Sequence, residues 1–509
     1  MTNGQLKKIG SPRFIAGAIR SPLVRLLILG LVLGFSFQGT RGLWSPDEGR
    51  YVVGALQMLD SGDFLTPAYS PDRVNFSKPP LTYWTLAAAV KTMGRTTWAV
   101  RTPYALAFVL TLWLLYGMGR RLVPAKPWLP GLVYACSMFP FLTSNIISTD
   151  VFLTLSEAIA MLGFVRAAFP LDGGSAQRRD ILLMWLGFGL AFLTKGPPGL
   201  LPLIAILPFI LRRDGWRGLG RLFTAAGLAI FALVGLLWYL IAVVRYPWLT
   251  HYFIHREVYE RLFTDAQRRH PGAWGWLVIY LPTIALGSLP WWPGLASLIR
   301  RNREPSARGI WLNRQAPEHF LMLWFLLPLI VFCLAQSRLP LYMLPLFLPL
   351  SLMLAIALQQ KVDLRSSWQL AGLGVWLIAL LAVKGGVGLF DHPAVDDRQA
   401  ARQLTTITQQ VSYSAIVFVE DTKLDYDIEQ KTPWGLRFYM DKPIYGVAWY
   451  APDHRTALCH LVHQHQSVLL VLEHAVGADA INDSLASCPV RAATQAGTWR
   501  GKALTLIQN

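Results

Sequence analysis

An acidic pair follows a serine and a proline early in the chain, in the run Ser45-Pro46-Asp47-Glu48. Serine at the N-cap, proline at the first helical position and glutamate at the third form a capping box, which predicts a helix beginning at Pro46. A carboxylate placed there, such as Asp47, can orient an acceptor group and take its proton. The alternative is that Asp47 only complements the positive end of the helix dipole.

A lysine stands immediately before two prolines in the run Lys78-Pro79-Pro80. Prolines can open a helix but not continue one, so this lysine is expected at a helix start, where its charge opposes the dipole. An anion could bind both Lys78 and the free N–H groups of the first turn, as phosphate commonly does. The alternative is a lysine whose ammonium group reaches up to the membrane interface.

The elements that position these groups are expected to lie in lipid. The chain has 509 residues, of which 53% are hydrophobic and 15% charged, and its mean hydropathy is +0.38. Soluble domains carry about a quarter charged residues, so the composition indicates a membrane protein. The formal charge of +18 falls mainly in short clusters between apolar segments. It therefore indicates membrane topology and excludes a nucleic-acid-binding surface.

Basic residues ahead of the first apolar segment favour a cytoplasmic N-terminus. About eleven spans are predicted from segment length and hydropathy. They lie at residues 22–38, 98–119, 125–146, 150–170, 181–195, 198–211, 222–244, 273–296, 317–336, 339–359 and 367–390. Pairs such as Arg120-Arg121 and Arg178-Arg179 then fall on the cytoplasmic side. Asp150, Lys195, residues 41–97 and 246–272 and everything after about 391 fall outside.

The outer segment from His251 to His270 is unusually basic for its predicted side of the membrane. Its arginines include Arg256 and Arg261. A partner with negative charge would explain them. The alternative is local pairing on a helix surface with acidic residues of the same segment, such as Glu257.

After residue 391 charged residues become more frequent, and short apolar runs alternate with helix-like stretches. Residues 415–419 and 467–472 are predicted strands and residues 396–410 a predicted helix, which indicates a small α/β domain over 391–509. It has no Gly-rich phosphate loop, so nucleotide binding is not assigned. Cys459 and Cys488 could form a disulfide in an oxidising compartment, although their spacing leaves the pairing open.

Several runs in the chain are also found, in this order, in a known family. They are Asp47-Glu48-Gly49-Arg50-Tyr51, Ser61-Gly62-Asp63-Phe64 with Pro67, Lys78-Pro79-Pro80-Leu81 with Tyr83-Trp84, Leu193-Thr194-Lys195-Gly196-Pro197, Leu289-Pro290-Trp291, and Ser337-Arg338-Leu339-Pro340 with Tyr342-Met343-Leu344-Pro345. Together they resemble the bacterial aminoarabinose transferase family. That family belongs to the GT-C superfamily, with the protein O-mannosyltransferases.

The resemblance implies a mainly α-helical polytopic fold of the GT-C type. The catalytic transmembrane domain would span 1–390, with amphipathic helices in its first periplasmic loop, and the periplasmic α/β domain would follow. The implied reaction moves a sugar from a polyprenyl-phosphate donor to an envelope acceptor, with inversion at the anomeric carbon. The acceptor would be lipid A, a related glycolipid or glycan, or a protein, at the periplasmic face of a bacterial inner membrane. No cofactor is assigned, and the sequence does not support a divalent metal.

The resemblance also implies residue roles. Asp47 would be nearest the reaction, and Asp150 in Ser148-Thr149-Asp150 matches the second acidic position, with a plain helix N-cap as the alternative. The donor phosphate would be held by Lys78, Lys195 and an arginine of the outer loop, Arg261 in preference to Arg256. The expected substrate-binding residues are Glu48, Tyr51, Tyr83, Arg338 and Tyr342.

The chain departs from the family at two positions. Ser77 stands where an acidic residue is frequent, which weakens any metal or amino-sugar contact there. Arg338 stands where lysine is frequent. Arginine keeps the positive charge, but the geometry of its charged group differs from that of lysine. The rival functions are a transporter or flippase of lipid-linked glycans, for which the chain lacks a clear internal repeat, and an assembly factor acting through its C-terminal domain.

Overall fold

The protein is known from a computed structural model. It describes residues 21–171, 177–260, 264, 270, 272, 274–303, 313, 315–389, 395–473, 476, 478–485, 488 and 492–508.

The helices are introduced here in chain order. They are α1 Pro22–Phe35, α2 Asp47–Ser61, α3 Leu81–Met93, α4 Thr97–Leu122, α5 Leu129–Cys136, α6 Met138–Thr143, α7 Thr149–Ala168, α8 Arg178–Lys195, α9 Leu203–Leu222, α10 Ala225–Phe231, α11 Leu237–Arg245, α12 Leu249–His251, α13 Gly275–Gly287, α14 Trp292–Arg303, α15 Pro317–Leu334, α16 Phe347–Leu358, α17 Ser367–Gly386, α18 Asp397–Ile407, α19 Asp425–Lys431, α20 Leu436–Met440, α21 His454–Gln464 and α22 Ala478–Leu485. Short 3₁₀ helices cover Pro197–Leu200 and Pro340–Leu346, and π helices cover Ala232–Leu236 and Tyr252–Glu260.

The strands are β1 Ala68–Ser70, β2 Arg73–Val74, β3 Ala415–Glu420, β4 Ile444–Ala448, β5 Ser467–Leu472, β6 Ala492–Trp499 and β7 Lys502–Gln508. The chain divides into two compact units. The membrane unit comprises Met1–Phe37, Ser77–Leu81 and Arg101–Lys384. The second unit, called the outer-loop unit after the predicted outer loop 41–97, comprises Gln38–Phe76, Thr82–Val100 and Gly385–Asn509.

The chain is a multi-pass membrane protein. Six of the described helical segments are long and apolar enough to cross a membrane. They are Thr97–Leu122, Thr149–Ala168, Ala225–Arg245, Pro317–Leu334, Pro340–Leu358 and Ser367–Gly386. The predicted span over 125–146 is not one continuous helix, because Ser137 is extended at φ −69° and ψ 130° and separates α5 from α6. That it crosses the membrane stays a prediction. The total of about eleven spans stays a prediction.

Helices α7 and α8 form a tightly packed antiparallel pair in the membrane unit. Their backbones approach so closely that a Cβ atom on Gly163 would lie 2.5 Å from the Met184 nitrogen, and one on Gly187 would lie 2.2 Å from the Ala160 nitrogen. Small residues permit this approach between helices in lipid. The pair therefore sets the first residues of α7 beside the last residues of α8.

The outer-loop unit contains a five-stranded sheet in the order β4-β3-β5-β7-β6. Strands β3, β4 and β5 are parallel, with Ile416 opposite both Ile444 and Leu469, whereas β7 is antiparallel to β5 and to β6. Strand β3 is buried along its whole length, as expected for a parallel strand covered on both faces. The predicted strands and the predicted helix of the α/β domain are confirmed.

Cys459 and Cys488 form a disulfide, with a Cα–Cα distance of 5.5 Å. Cys459 lies in α21 and Cys488 follows α22, two helices that pack together in the outer-loop unit. This distance is ordinary for a disulfide. The pairing that the sequence left open is therefore present.

Much of the first loop belongs to the same unit as the α/β domain. Tyr69 stacks on Trp434, with ring centroids 4.8 Å apart, and Arg437 donates hydrogen bonds to Gln57 and Asp60 at 2.8 and 2.6 Å. The predicted organisation grouped residues 41–97 with the transmembrane part and began the α/β domain at 391. That boundary stays a prediction, but these contacts link the loop to the later domain.

Asp397 is a fully buried carboxyl group in the outer-loop unit. It lies at the first position of α18 against α2 and α20, where a Cβ atom on Gly435 would come within 2.0 Å of its Oδ2. Burial raises the pKa of Asp397 to about 8, although Ser45 and Arg500 act in the opposite direction.

We expect this unit to lose stability as the pH rises from about 4 to about 8, because Asp397 then stays protonated in the folded state while it ionises in the unfolded chain. The slope for one such group is at most about 1.4 kcal/mol per pH unit. Asp397→Asn should flatten the dependence, measured as tryptophan-fluorescence melting of the full chain in detergent. Asp72→Asn, at an exposed position, should not. Equal slopes for wild type and Asp397→Asn would contradict this expectation.

Candidate active site

Asp47 is the first residue of α2, so the predicted helix start is correct to within one residue. Its side chain is 67% exposed and forms an ion pair with Arg50, one turn along the helix. The predicted capping box is wrong, because Pro46 occupies the N-cap without a side-chain cap, and the Ser45 N–H donates to the Val395 carbonyl at 2.8 Å. Asp47 is thus an accessible carboxylate beside a positive helix end.

Glu48 points into the outer-loop unit instead of back toward Ser45. Its two oxygens accept hydrogen bonds from the Arg41 guanidinium at 2.7 Å each, and Oε2 also accepts from the Trp44 N–H at 2.9 Å. Only 1% of Glu48 is exposed. This bidentate pair braces the chain directly before α2. A substrate contact for Glu48 stays a prediction.

Tyr51 and Tyr83 lie close together, with ring centroids 6.0 Å apart. Tyr83 is buried against Gly54 of α2, and its hydroxyl accepts a hydrogen bond from the Asn75 side chain at 3.0 Å. Tyr51 is partly exposed. Tyr83 therefore packs α3 against α2, while Tyr51 keeps an accessible surface on the same helix as Asp47. Their predicted substrate contacts remain untested.

Asp150 and Lys195 form a buried ion pair in the membrane unit. Their side chains are 5% and 8% exposed, and the Lys195 ammonium lies 4.2 Å from the ring centre of Tyr342. Ser148 is the N-cap of α7 and accepts from the Asp150 N–H at 3.1 Å, so a cap role for Asp150 is excluded. Three predicted site residues from distant parts of the chain therefore meet at one end of the α7–α8 pair.

Glu157 is a further carboxyl group that sequence reasoning missed. It lies two turns after Asp150 on α7, is 3% exposed, and interacts electrostatically with Lys195 and Asp150. Its spacing from Asp150 was a usable signal, because positions seven apart share a helix face. An acidic residue inside a membrane span is a functional candidate in its own right.

Lys78 lies in a second ion pair of the membrane unit. Its ammonium is 3.8 Å from a carboxylate oxygen of Glu257 and donates to the Ser77 carbonyl at 2.7 Å. The two side chains are 14% and 17% exposed. Arg256, adjacent to Glu257, has its guanidinium 5.5 Å from the Tyr252 ring centre. The structure therefore brings Lys78 to the basic outer segment. Phosphate binding there stays a prediction, and the preferred Arg261 lies outside the described residues.

Arg338 is almost fully buried, and its side chain binds backbone carbonyl groups of two separate segments. Its guanidinium donates to the carbonyls of His270, Gly272 and Cys333 at 2.9, 2.8 and 3.0 Å. The His270 carbonyl belongs to the end of the basic outer segment, and the Gly272 carbonyl lies two residues after it. Arg338 therefore fastens that segment, and its predicted contact with substrate stays a prediction.

The predicted residues thus fall into two sets. Asp47, Glu48, Tyr51 and Tyr83 belong to the outer-loop unit. The membrane unit holds Lys78, Asp150, Lys195, Arg256, Arg338 and Tyr342. In the part of the chain that the structure describes, no group of three or more His, Cys, Asp or Glu side chains is arranged to hold a metal ion.

The chain is similar in sequence to several known proteins. Residues 77–257 match the model of the family described as dolichyl-phosphate-mannose-protein mannosyltransferase. The chain is 35% identical over 357 residues to the undecaprenyl phosphate-alpha-4-amino-4-deoxy-L-arabinose arabinosyl transferase of Pseudomonas aeruginosa, over 67% of this chain and 61% of that protein. The relative of the same description from Edwardsiella ictaluri is 30% identical over 368 residues, covering 69% and 63%. The chain therefore spans about three fifths of the length of these relatives.

Solved structures give the fold. ArnT from Cupriavidus metallidurans bound to undecaprenyl phosphate superposes with a TM-score of 0.74 at 18% identity, over 95% of this chain and 97% of that one. The oligosaccharyltransferase of Archaeoglobus fulgidus superposes with a TM-score of 0.53 at 13% identity, over 86% and 65%. The mainly α-helical fold and the resemblance to aminoarabinose transferases predicted from the motifs are confirmed.

Proposed function

We propose that this chain, similar in sequence to bacterial aminoarabinose transferases and in fold to ArnT, is an inverting glycosyltransferase. It moves a sugar from a polyprenyl-phosphate donor to an acceptor of the cell envelope. The observation that carries the proposal is the buried Asp150–Lys195 pair under Tyr342, in a chain 35% identical over 357 residues to an arabinosyl transferase. A charged pair inside a membrane protein is costly and therefore points to function.

The reaction breaks the bond between the anomeric carbon and a phosphate oxygen. Negative charge develops on the departing phosphate, and fixed cations in a poorly hydrated site stabilise it. Lys195 and Lys78 have this character, since each is largely buried and each is held by one carboxylate. Arg256 adds a third cation next to Glu257. In this proposal the carboxylates Asp150 and Glu257 position the ammonium groups and do not contact the sugar.

Asp47 serves the acceptor side of the reaction. Its carboxylate is exposed, so an acceptor hydroxyl can reach it and lose its proton to it. Arg50 orients the carboxylate through their ion pair. If the acceptor is an anionic phosphate, no proton needs to be removed, and Asp47 then only orients it.

The site is assigned to the outer face of the membrane. The disulfide between Cys459 and Cys488 supports this orientation, because disulfides persist in the periplasm and are rare in the cytosol. Arg178 and Arg179 support it as well, because they lie at the opposite end of α8 from Lys195.

Mass spectrometry of envelope glycolipids and glycans, with and without this chain, tests the proposal. We expect one envelope component to lose a single sugar when the chain is absent and to regain it when the chain is restored. The purified chain should release polyprenyl phosphate from a polyprenyl-phosphate sugar only when acceptor is present. Identical envelope spectra combined with no release would overturn the proposal, and transbilayer movement of the donor without release would favour the flippase.

A further inference from the structure

A basic cavity lies at the end of the α7–α8 pair remote from Asp150 and Lys195. Its volume is about 450 Å³. The described residues that line it are Gly117, Arg120, Arg121, Arg166, Arg179 and Asp180. They come from the end of α4, the end of α7 and the start of α8. The cavity is therefore built by three separate helix termini of the membrane unit.

The cavity is separated from the proposed reaction site by the thickness of a membrane. From Asp150 to Arg166, α7 rises about 24 Å at 1.5 Å per residue. The hydrocarbon core of a bilayer is about 30 Å thick. The cavity thus lies near the headgroups of the opposite leaflet, whichever way the chain is inserted.

The charge lining the cavity is strongly positive. Four guanidinium groups face one described carboxylate, Asp180, which lies 3.9 Å from Arg166. Arg121 also donates to the Phe169 carbonyl at 3.2 Å, which fixes its position. Arginines that only direct membrane insertion need not line a common cavity, because their effect depends on positive charge near the ends of the spans. Arginines from three helices around one cavity instead match a phosphate, which guanidinium groups bind in bidentate fashion.

An apolar track on α4 leads to this cavity. Leu106, Leu110 and Trp113 follow one another at spacings of four and three residues, and they are 46%, 45% and 50% exposed. The same spacing continues to Gly117 and Arg120, so all five positions share one side of the helix. An acyl chain lying along the three apolar side chains would carry its headgroup to the arginines. A soluble phosphate would make no use of this track.

We propose that this cavity binds the phosphate headgroup of an anionic diacyl phospholipid from the leaflet opposite the reaction site. Basic pockets between membrane helices are known to bind such headgroups. The lipid would tie together the ends of α4, α7 and α8, and α7 and α8 also carry Asp150 and Lys195. This binding site is independent of the sugar transfer proposed above.

Native mass spectrometry of the full chain in detergent tests the site by titration with phosphatidylglycerol and with phosphatidylcholine of the same acyl chains. Wild type should bind phosphatidylglycerol more tightly. The double variant Arg120→Gln/Arg179→Gln should bind it roughly thirtyfold more weakly, because two cations near the phosphate are lost. The matched control Arg178→Gln/Arg212→Gln removes two exposed arginines that do not line the cavity, and it should bind as wild type.

A second double variant, Arg120→Lys/Arg179→Lys, keeps the charge that directs insertion and loses only the planar guanidinium groups. It should bind several-fold more weakly than wild type. Equal affinities of wild type and both cavity variants would overturn the site, as would an equal loss in the control. Displacement of the lipid by inorganic phosphate at micromolar concentration would assign the cavity to a soluble anion and overturn the lipid assignment.

Discussion

Removing either member of the Asp150–Lys195 pair should abolish sugar transfer and also destabilise the protein. Both side chains are buried, so Asp150→Asn leaves the Lys195 ammonium without its ion-pair partner, and Lys195→Met does the same to the Asp150 carboxylate. Breaking a buried pair in this way typically costs about 3–5 kcal/mol. Loss of activity in a single variant would therefore not separate catalysis from folding.

The double variant Asp150→Asn/Lys195→Met separates them. It removes both charges, and replacing a whole buried pair by neutral groups is often nearly neutral for stability. We expect its melting temperature to return close to that of wild type. Transfer should stay lost, because no ammonium is left to stabilise the departing phosphate, an effect worth about 10²–10³-fold in rate.

Lys384 provides the matched control. It is also a buried lysine of a membrane span, but its ammonium donates to the backbone carbonyls of Leu33 and Gly34 at 2.8 and 3.1 Å. Lys384→Met should lower the melting temperature and leave turnover per folded molecule unchanged. Recovery of transfer in the double variant Asp150→Asn/Lys195→Met would show that the pair is purely structural.

The sequence alone located several of these groups but could not pair them. Asp47 and Lys78 were recognisable because prolines and polar residues mark helix starts within a few positions. The meeting of Asp150, Lys195 and Tyr342 depends on how α7 and α8 pack and on the 3₁₀ helix Pro340–Leu346. No local pattern contains that information, although the family motifs included both Lys195 and Tyr342.

Prediction from local sequence patterns failed at Glu48, because a residue outside the motif binds its carboxylate. Glu48 fits a capping box in the sequence, yet the Arg41 guanidinium offers it two charge-assisted hydrogen bonds, which are stronger than one bond to a backbone N–H. Glu157 was missed because it belongs to none of the recognised motifs, although its spacing from Asp150 was a usable signal. Its burial becomes visible only once α7 is packed in the membrane unit.

Asp47→Asn and Lys78→Ala should each abolish transfer while leaving membrane insertion intact. Asp47 is exposed, so the amide replacement removes charge and basicity at little structural cost. Loss of a general base typically slows a reaction by about 10²–10⁴-fold. Lys78 contributes through the donor phosphate, and its removal should cost about 10²–10³-fold. Both effects are measured as turnover of purified chain with polyprenyl-phosphate sugar and acceptor.

Matched controls come from the same loop. Asp72→Asn neutralises another exposed carboxylate, and Lys91→Ala truncates an exposed lysine in the last turn of α3. Both should retain wild-type turnover. If Asp47→Asn instead keeps full activity while Lys78→Ala does not, the acceptor is an anion that needs no base, and Asp47 has no catalytic role. Full activity in both variants would place the chemistry elsewhere in the molecule, because neither the acceptor nor the donor side of the proposed site would then contribute.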